Sequence, residues 1–230
     1  MKIEALFISD IHLGSRGCNS SKLLEILKKY EPEYLFIVGD FIDGWLLKSR
    51  HYWTQEYTNI IKKILSYSKK GTKVVYITGN HDEFLRDYSD IKFDENILIC
   101  DEYIWKHYFI VHGDLYDGVM NMKWLAHLGS IGYEIAIVVD RFIKKLGYKK
   151  SISKWLKDNV KEAVKFITVF EDEIVHQAIK RNCIGVICGH IHKPENKQVH
   201  NIHYLNCGDF IENNSYIVYD QGQFNHYYSV

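Results

Sequence analysis

The chain has 230 residues, 47% hydrophobic and 25% charged, with 29 Lys plus Arg balanced by 29 Asp plus Glu. These globular values admit a large core and argue against disorder, while zero net charge gives no indication of a partner. Five cysteines (Cys18, Cys100, Cys183, Cys188 and Cys207) with no CxxC pair argue against a disulfide framework and a structural zinc site.

The opening stretch MKIEALFISD alternates as a strand over about 4–8. It reaches Asp10 too soon for a signal peptide, so a cytoplasmic setting is expected. Asp10 and His12 follow in DIH. SSKLLEILKKY then carries Leu23, Leu24, Ile26 and Leu27 at helical spacing, behind Ser20 or Ser21 as a cap. A second apolar run, 34–38, ends at Gly39 and Asp40. WTQEYTNIIKKILSYSKKG reads as a helix with Tyr57, Ile60, Ile61, Ile64 and Leu65 on one face and Gly71 closing it. Residues 74–77 are β-branched and aromatic, and deliver Gly79, Asn80, His81 and Asp82. Strand, helix, strand, helix, strand predicts an α/β sheet with crossover helices, in which ligands collect beyond the carboxyl ends of the strands.

Further on, YFIVHGD ends a strand at His112 and GVICGHIHKP ends another at His190 and His192. Between them the periodicity turns helical, through Ile135, Val138, Val139, Phe142, Ile143 and Leu146 and again through Val160, Ala163, Val164, Ile167, Ile174 and Ala178. This predicts one domain over 1–230 with an all-helical insertion at about 118–182. The closing stretch, 203–230, reads as a β meander, and Pro32 and Pro194 are both expected in loops. No apolar run approaches the roughly 20 residues needed to cross a bilayer.

Five strand ends therefore hold Asp10 with His12, Asp40, Asn80 with His81, His112, and His190 with His192. Imidazoles and carboxylates together suit a first-row divalent metal. Seven such groups are too many for one ion and fit two if one carboxylate bridges; ions roughly 3.5–4 Å apart can clamp an in-line displacement at phosphorus. In DIH and HIH an extended backbone would send both polar side chains one way and Ile11 or Ile191 back to the core. Any one piece alone reads equally as a turn or a helix cap; the five together do not.

The ordered set DIH, GDFID, GNHDEF, HGD and GHIH resembles the calcineurin-like metallophosphoesterase superfamily over nearly the whole chain outside the helical segment. The resemblance implies a four-layer αββα sandwich with a helical cap and two divalent ions, manganese first and iron, zinc or magnesium as alternatives. A water between the ions would attack phosphorus. Asp10, His12 and His192 would hold one ion, Asn80, His112 and His190 the other, and Asp40 would bridge. His81 resembles the histidine that faces the phosphate, as charge stabiliser or acid. Asp82 would orient His81 through its other N–H, or cap the next turn. Asp43 and Asp114 are expected as supporting residues or loop turns.

Within the superfamily, GDFIDGW, GNHDEFLRDY, HGDLYDG and CGHIH with NCGDF are most similar to the UDP-2,3-diacylglucosamine pyrophosphatase branch. That branch cleaves the diphosphate of a UDP-linked diacyl sugar in lipid A assembly, under a helical cap. A lipid-linked small-molecule phosphoester is thereby implied as the substrate. The segment RFIKKLGYKKSISKWLK, Arg141 to Lys157, carries seven cations and no acid. It could meet an anionic diphosphate or the inner membrane surface peripherally, or be a solvated face packed on the domain. Members of the branch carry Arg where this chain has His81, so Arg86, with Asn80, is the candidate substrate contact. A phosphodiesterase acting on nucleotides or nucleic acid would use the same metals. The clustering of cations on one segment, rather than along a groove, disfavours nucleic acid. A non-enzymatic interaction scaffold would need missing ligands, and none is missing. The oligomeric state is left open.

Overall fold

The computed structural model describes residues 1–88, 94–116 and 152–228. Four parallel strands, β1 (Lys2–Ile8), β2 (Glu31–Val38), β3 (Lys73–Ile77) and β4 (Ile97–Cys100), form most of a first sheet. The hairpin of β10 (Tyr216–Asp220) and β11 (Gln223–Tyr227) adds antiparallel to β1, giving the order β11-β10-β1-β2-β3-β4. The second sheet contains β5 (Glu102–Trp105), β6 (Tyr108–Val111), β7 (Gly185–Cys188), β8 (Glu195–Val199) and β9 (Ile202–Asn206) in the order β5-β6-β7-β9-β8.

Strands buried on both faces read as continuous apolar runs, because successive side chains go to opposite cores. Phe7, Phe36, Val75 and Ile77 pack with Trp105, Ile110, Ile187 and Leu205 between the sheets. Phe7 and Phe36 stack with centroids 4.7 Å apart, and Trp105 sits across both. The alternate residues Leu6, Ile8, Leu35, Ile37 and Val74 pack under α1 (Ser20–Lys29) and α3 (Gln55–Lys69), against Leu23, Leu27, Ile60 and Ile64. A short helix, α2 (Gly44–Arg50), follows β2. The other face of the second sheet carries Phe109, Val186 and Tyr204, all fully buried. Just beyond α4 (Ile152–Lys180), Arg181 lays its guanidinium over Phe109 at 4.4 Å and pairs with Glu102 at 2.7 Å. The result is a sandwich of two facing sheets with α1 and α3 on the outer face of the first. Met1–Leu115 with Ile174–Val230 form one compact unit and Tyr116–Glu173 another.

Some expectations need correcting. Pro32 lies inside β2, opposite Ile3, and not in a loop. On the β3 side the ladder begins only at Tyr34, so the missing N–H interrupts nothing there. The cap of α1 is Asn19, whose side chain accepts from Lys22 N, because Ser20 and Ser21 both donate to Glu56 on α3. Leu65 is exposed, and Tyr67 takes its place on the buried face of α3. The closing stretch is no single meander: β9 runs parallel beside β7 in the second sheet, while β10 and β11 belong to the first. Of the expected helical insertion, residues 118–151 lie outside the described residues, as does most of the basic segment 141–157.

Candidate metal centre

The polar groups converge because the chain reverses sharply after each strand. Asp10 (φ 51°), His12 (52°), Asp40 (49°), His190 (70°) and His192 (52°) all adopt left-handed backbone. The extended DIH and HIH expected from the sequence are therefore replaced by tight reversals. Such backbone is uncommon outside glycine, costs of order 1 kcal/mol or more per residue, and clusters at functional sites. Ile11 is still fully buried, whereas Ile191 is only half-buried.

Asp40 is central. Its Oδ1 accepts from His81 N at 2.8 Å, and its Oδ2 lies 3.4 Å from His112 Nε2, 3.8 Å from His12 Nε2 and 4.0 Å from His81 Nε2. Asp10 is held through Oδ2, which accepts from His190 N at 3.0 Å and from Ser9 Oγ at 2.5 Å, leaving Oδ1 facing His192 Nε2 at 3.1 Å. The Nε2 atoms of His12 and His192 are 3.4 Å apart. His112 Nδ1 is 2.9 Å from Val38 O, a donor position that orients the ring and turns Nε2 toward Asp40. The His190 ring packs edge-on to that of His112.

Burial by itself would raise the acids and lower the imidazoles, but the two sets outweigh it in each other's favour. Asp40 is held well below the usual carboxylate range by His112 and His12, and Asp10 falls to about 2 beside His192 and His112. His112 rises well above the ordinary histidine value next to Asp40, and His192 rises to about 9 next to Asp10.

The expected contact between Asp82 and His81 does not form. The buried Asp82 carboxylate accepts from Gly79 N at 2.6 Å, Phe41 N at 2.8 Å and the Tyr76 hydroxyl at 2.6 Å, pinning two strand-end loops together. Nor is it a helix cap. His81 Nδ1 instead lies 3.2 Å from Asp43 Oδ1, while Asp43 Oδ2 is 3.3 Å from His12 Nδ1. Asp43 also caps α2 through Leu46 N. Arg86 is engaged by carboxylates, with Nη2 on Asp114 Oδ2 at 2.8 Å and Nε 3.3 Å from Asp101 Oδ1, so its guanidinium is already neutralised. Two neighbours escaped the sequence reading. The Trp45 ring lies tilted against that of His81 with centroids 4.1 Å apart, and Asn213 donates to His192 O at 3.0 Å. The W of GDFIDGW was a signal for the first; nothing local marks the second.

The model of the calcineurin-like phosphoesterase family matches residues 3–194. The chain belongs to the calcineurin-like phosphoesterase family. This is a family of metal-dependent phosphoester hydrolases with a dinuclear metal centre. A UDP-2,3-diacylglucosamine hydrolase of Porphyromonas gingivalis is 27% identical over 124 residues, 50% of this chain and 47% of the relative, so the match spans about half of each. Among solved structures, an archaeal phosphodiesterase is 16% identical, covering 98% of this chain and 99% of its own, at a TM-score of 0.47. The phosphoesterase Yfce of E. coli is 16% identical, covering 94% and 88%, at 0.46.

The residues fit the family's metals. Asp10 Oδ1, Asn80 Oδ1 and His112 Nε2 are buried and make no well-aligned hydrogen bond among the described residues, although Asp10 Oδ1 faces His192 and His112 Nε2 faces Asp40. Buried polar atoms are nearly always satisfied, so unsatisfied atoms on Asp10 and His112, whose ligating atoms group with that of Asp40 within 4.8 Å, call for a cation. Ligating atoms of Asp10, His12 and His192, of Asp10, Asp40 and His112, and of His12, Asp43 and His81 each group within 4.8 Å.

Proposed function

We propose that the chain is a phosphoester hydrolase in which Asp10, His12 and His192 hold one divalent ion, Asn80, His112 and His190 hold a second, and Asp40 bridges. Manganese is the first choice, since mixed imidazole, carboxylate and amide oxygen donors suit it as well as iron or zinc. When bound, two such ions supply Lewis acidity at the phosphoryl group and make water a competent nucleophile. The single observation that carries the reading is the buried cluster of Asp10, Asp40 and His112, from three different strand ends, whose ligating atoms lie within 4.8 Å of one another.

The chain's own groups have separable tasks. The Val38 carbonyl orients the His112 ring. Ser9 and the His190 amide turn Asp10 so that Oδ1 faces inward. The pKa of His81, which burial would lower, is raised by Asp43 and Asp40. A protonated His81 with Nε2 toward Asp40 can stabilise charge on a phosphoryl oxygen and hand its proton to the leaving oxygen.

For the substrate we propose a UDP-2,3-diacylglucosamine-like diphosphate, met at the cytoplasmic face of the inner membrane. The GDFIDGW, GNHDEF and HGD motifs and the hydrolase named in the Porphyromonas relative support it. The test is metal analysis of the purified chain, then turnover of UDP-2,3-diacylglucosamine beside bis-nitrophenyl phosphate with manganese added. Two bound ions and release of UMP are expected. Cleavage of the simple diester alone sinks the lipid substrate and keeps the centre; no turnover of either sinks both.

A further inference from the structure

A cavity of about 250 Å³ opens between the loop 14–17, Leu46, His51 and Tyr52, and the reading above gives it no task. Its chemistry is specific. Arg16 is exposed and, among the described residues, makes no ion pair; its guanidinium lies 5.3 Å from the centroid of the Tyr52 ring. An unpaired guanidinium over an aromatic face presents a fork for phosphate oxygens and a flat surface for a ring. His51 adds an imidazole from the end of α2, fixed in left-handed backbone at φ 49°.

The loop is preorganised. The Tyr57 hydroxyl donates to Ser15 O at 2.6 Å, Gly17 N to Ser15 Oγ at 3.2 Å and Asn19 N to Phe210 O at 2.8 Å. Gly14 sits at φ 112°, where a Cβ would come within 2.9 Å of Leu47. Two segments shared with the metal centre wall the cavity. Ser15 N donates to His12 O at 2.9 Å, and Leu46 N donates to Asp43 Oδ1 at 2.8 Å. The cavity falls just below the roughly 300–1,000 Å³ usual for small-ligand clefts, which suits one ring-and-phosphate moiety and not two acyl chains.

We propose that this cavity is the subsite for the nucleoside phosphate half of the substrate, with Arg16 on the phosphate and the Tyr52 and Arg16 faces beside the base. The proposal rests on the reading of a nucleotide-linked substrate, so its test avoids catalysis. UMP is titrated calorimetrically into the full chain in the presence of chelator, with uridine and inorganic phosphate as separate arms. UMP binding that Arg16→Ala weakens by roughly tenfold or more, the scale of one charge-assisted bond to phosphate, is expected. Arg16 is at the surface, and an unchanged melting temperature of the variant establishes that it is folded. Equal binding of UMP by Arg16→Ala and wild type overturns the proposal, as does an absence of UMP binding. Phosphate binding as tightly as UMP overturns the nucleoside assignment. Turnover of bis-nitrophenyl phosphate by the metal-loaded wild type reports on the hydrolase reading separately, so the two failures are distinct.

Discussion

Asp43 serves two imidazoles and one helix end at once, reaching His12, His81 and Leu46 N with its two oxygens. A buried carboxylate in that position fixes ring orientation and tautomer, and losing such a partner costs about 10–100-fold in metal affinity or activity. Asp43→Asn keeps a competent cap, so the helix should survive while turnover of bis-nitrophenyl phosphate falls by about that factor. Unchanged kinetics would reduce Asp43 to a cap. The sequence marked Asp43 only as an ambiguous neighbour and offered Asp82, which adjoins His81 in the chain, as the orienting acid or a cap. Adjacency misled for a physical reason. The turn after β3 sends consecutive side chains in different directions, so Asp82 points to Gly79 N, Tyr76 and Phe41 N while His81 faces Asp43. The ligand-type residues were legible because each follows a buried apolar run; their supporting contacts, which depend on loop path, were not.

At the scale of elements, the strand ends approach one another more closely than side chains would permit, and glycine is what permits it. A Cβ on Gly79 would collide with Asp40 Oδ1, come within 2.6 Å of Asp40 N and 2.8 Å of His112 Cδ2. Gly79→Ala should thus push the β2 and β3 ends apart. A loss of about 1–3 kcal/mol is expected from overpacking, read by denaturant unfolding, together with loss of metal uptake by elemental analysis. Full metal content in this variant would mean the cluster does not depend on that close approach. The strands themselves were plain in the sequence, since both-side burial writes β-branched and aromatic runs. Their ends were less so: β2 begins at Glu31, ahead of the expected start, and the DIH and HIH segments reverse where extension was expected. Backbone handedness at Asp and His leaves little trace in composition, which is why Asp10 and His192 were found without their conformations. Sheet membership was also hidden, because β9 and β10 are close in sequence yet pair in different sheets.

For the whole molecule, the fold concentrates two carboxylates and several imidazoles in one buried place and keeps them there by proton sharing when no cation does the work. Burial would lower His192 and His112, but Asp10 and Asp40 override it, lifting His192 to about 9 and His112 well above its ordinary value. Ligation needs neutral imidazole, so metal binding must displace these protons. The sign follows directly. As pH falls from about 9, His192 is increasingly protonated in the metal-free chain, so apparent metal affinity should weaken toward pH 6.5 and strengthen again on return. Titrating manganese in two buffers of different ionisation enthalpy should reveal proton release that shrinks as pH approaches 9. The same ions bind the folded state and not the unfolded one. At one hundred times its dissociation constant each ion adds about 2.7 kcal/mol, and for a chain of this length one such increment raises the melting temperature by roughly 5–10 °C. Chelator should remove that increment, and Asp40→Asn should abolish it, since Asp40 Oδ2 faces three of the imidazoles. A melting temperature indifferent to manganese and chelator across this pH range would mean that the buried cluster binds no cation, and the hydrolase reading would fail with it.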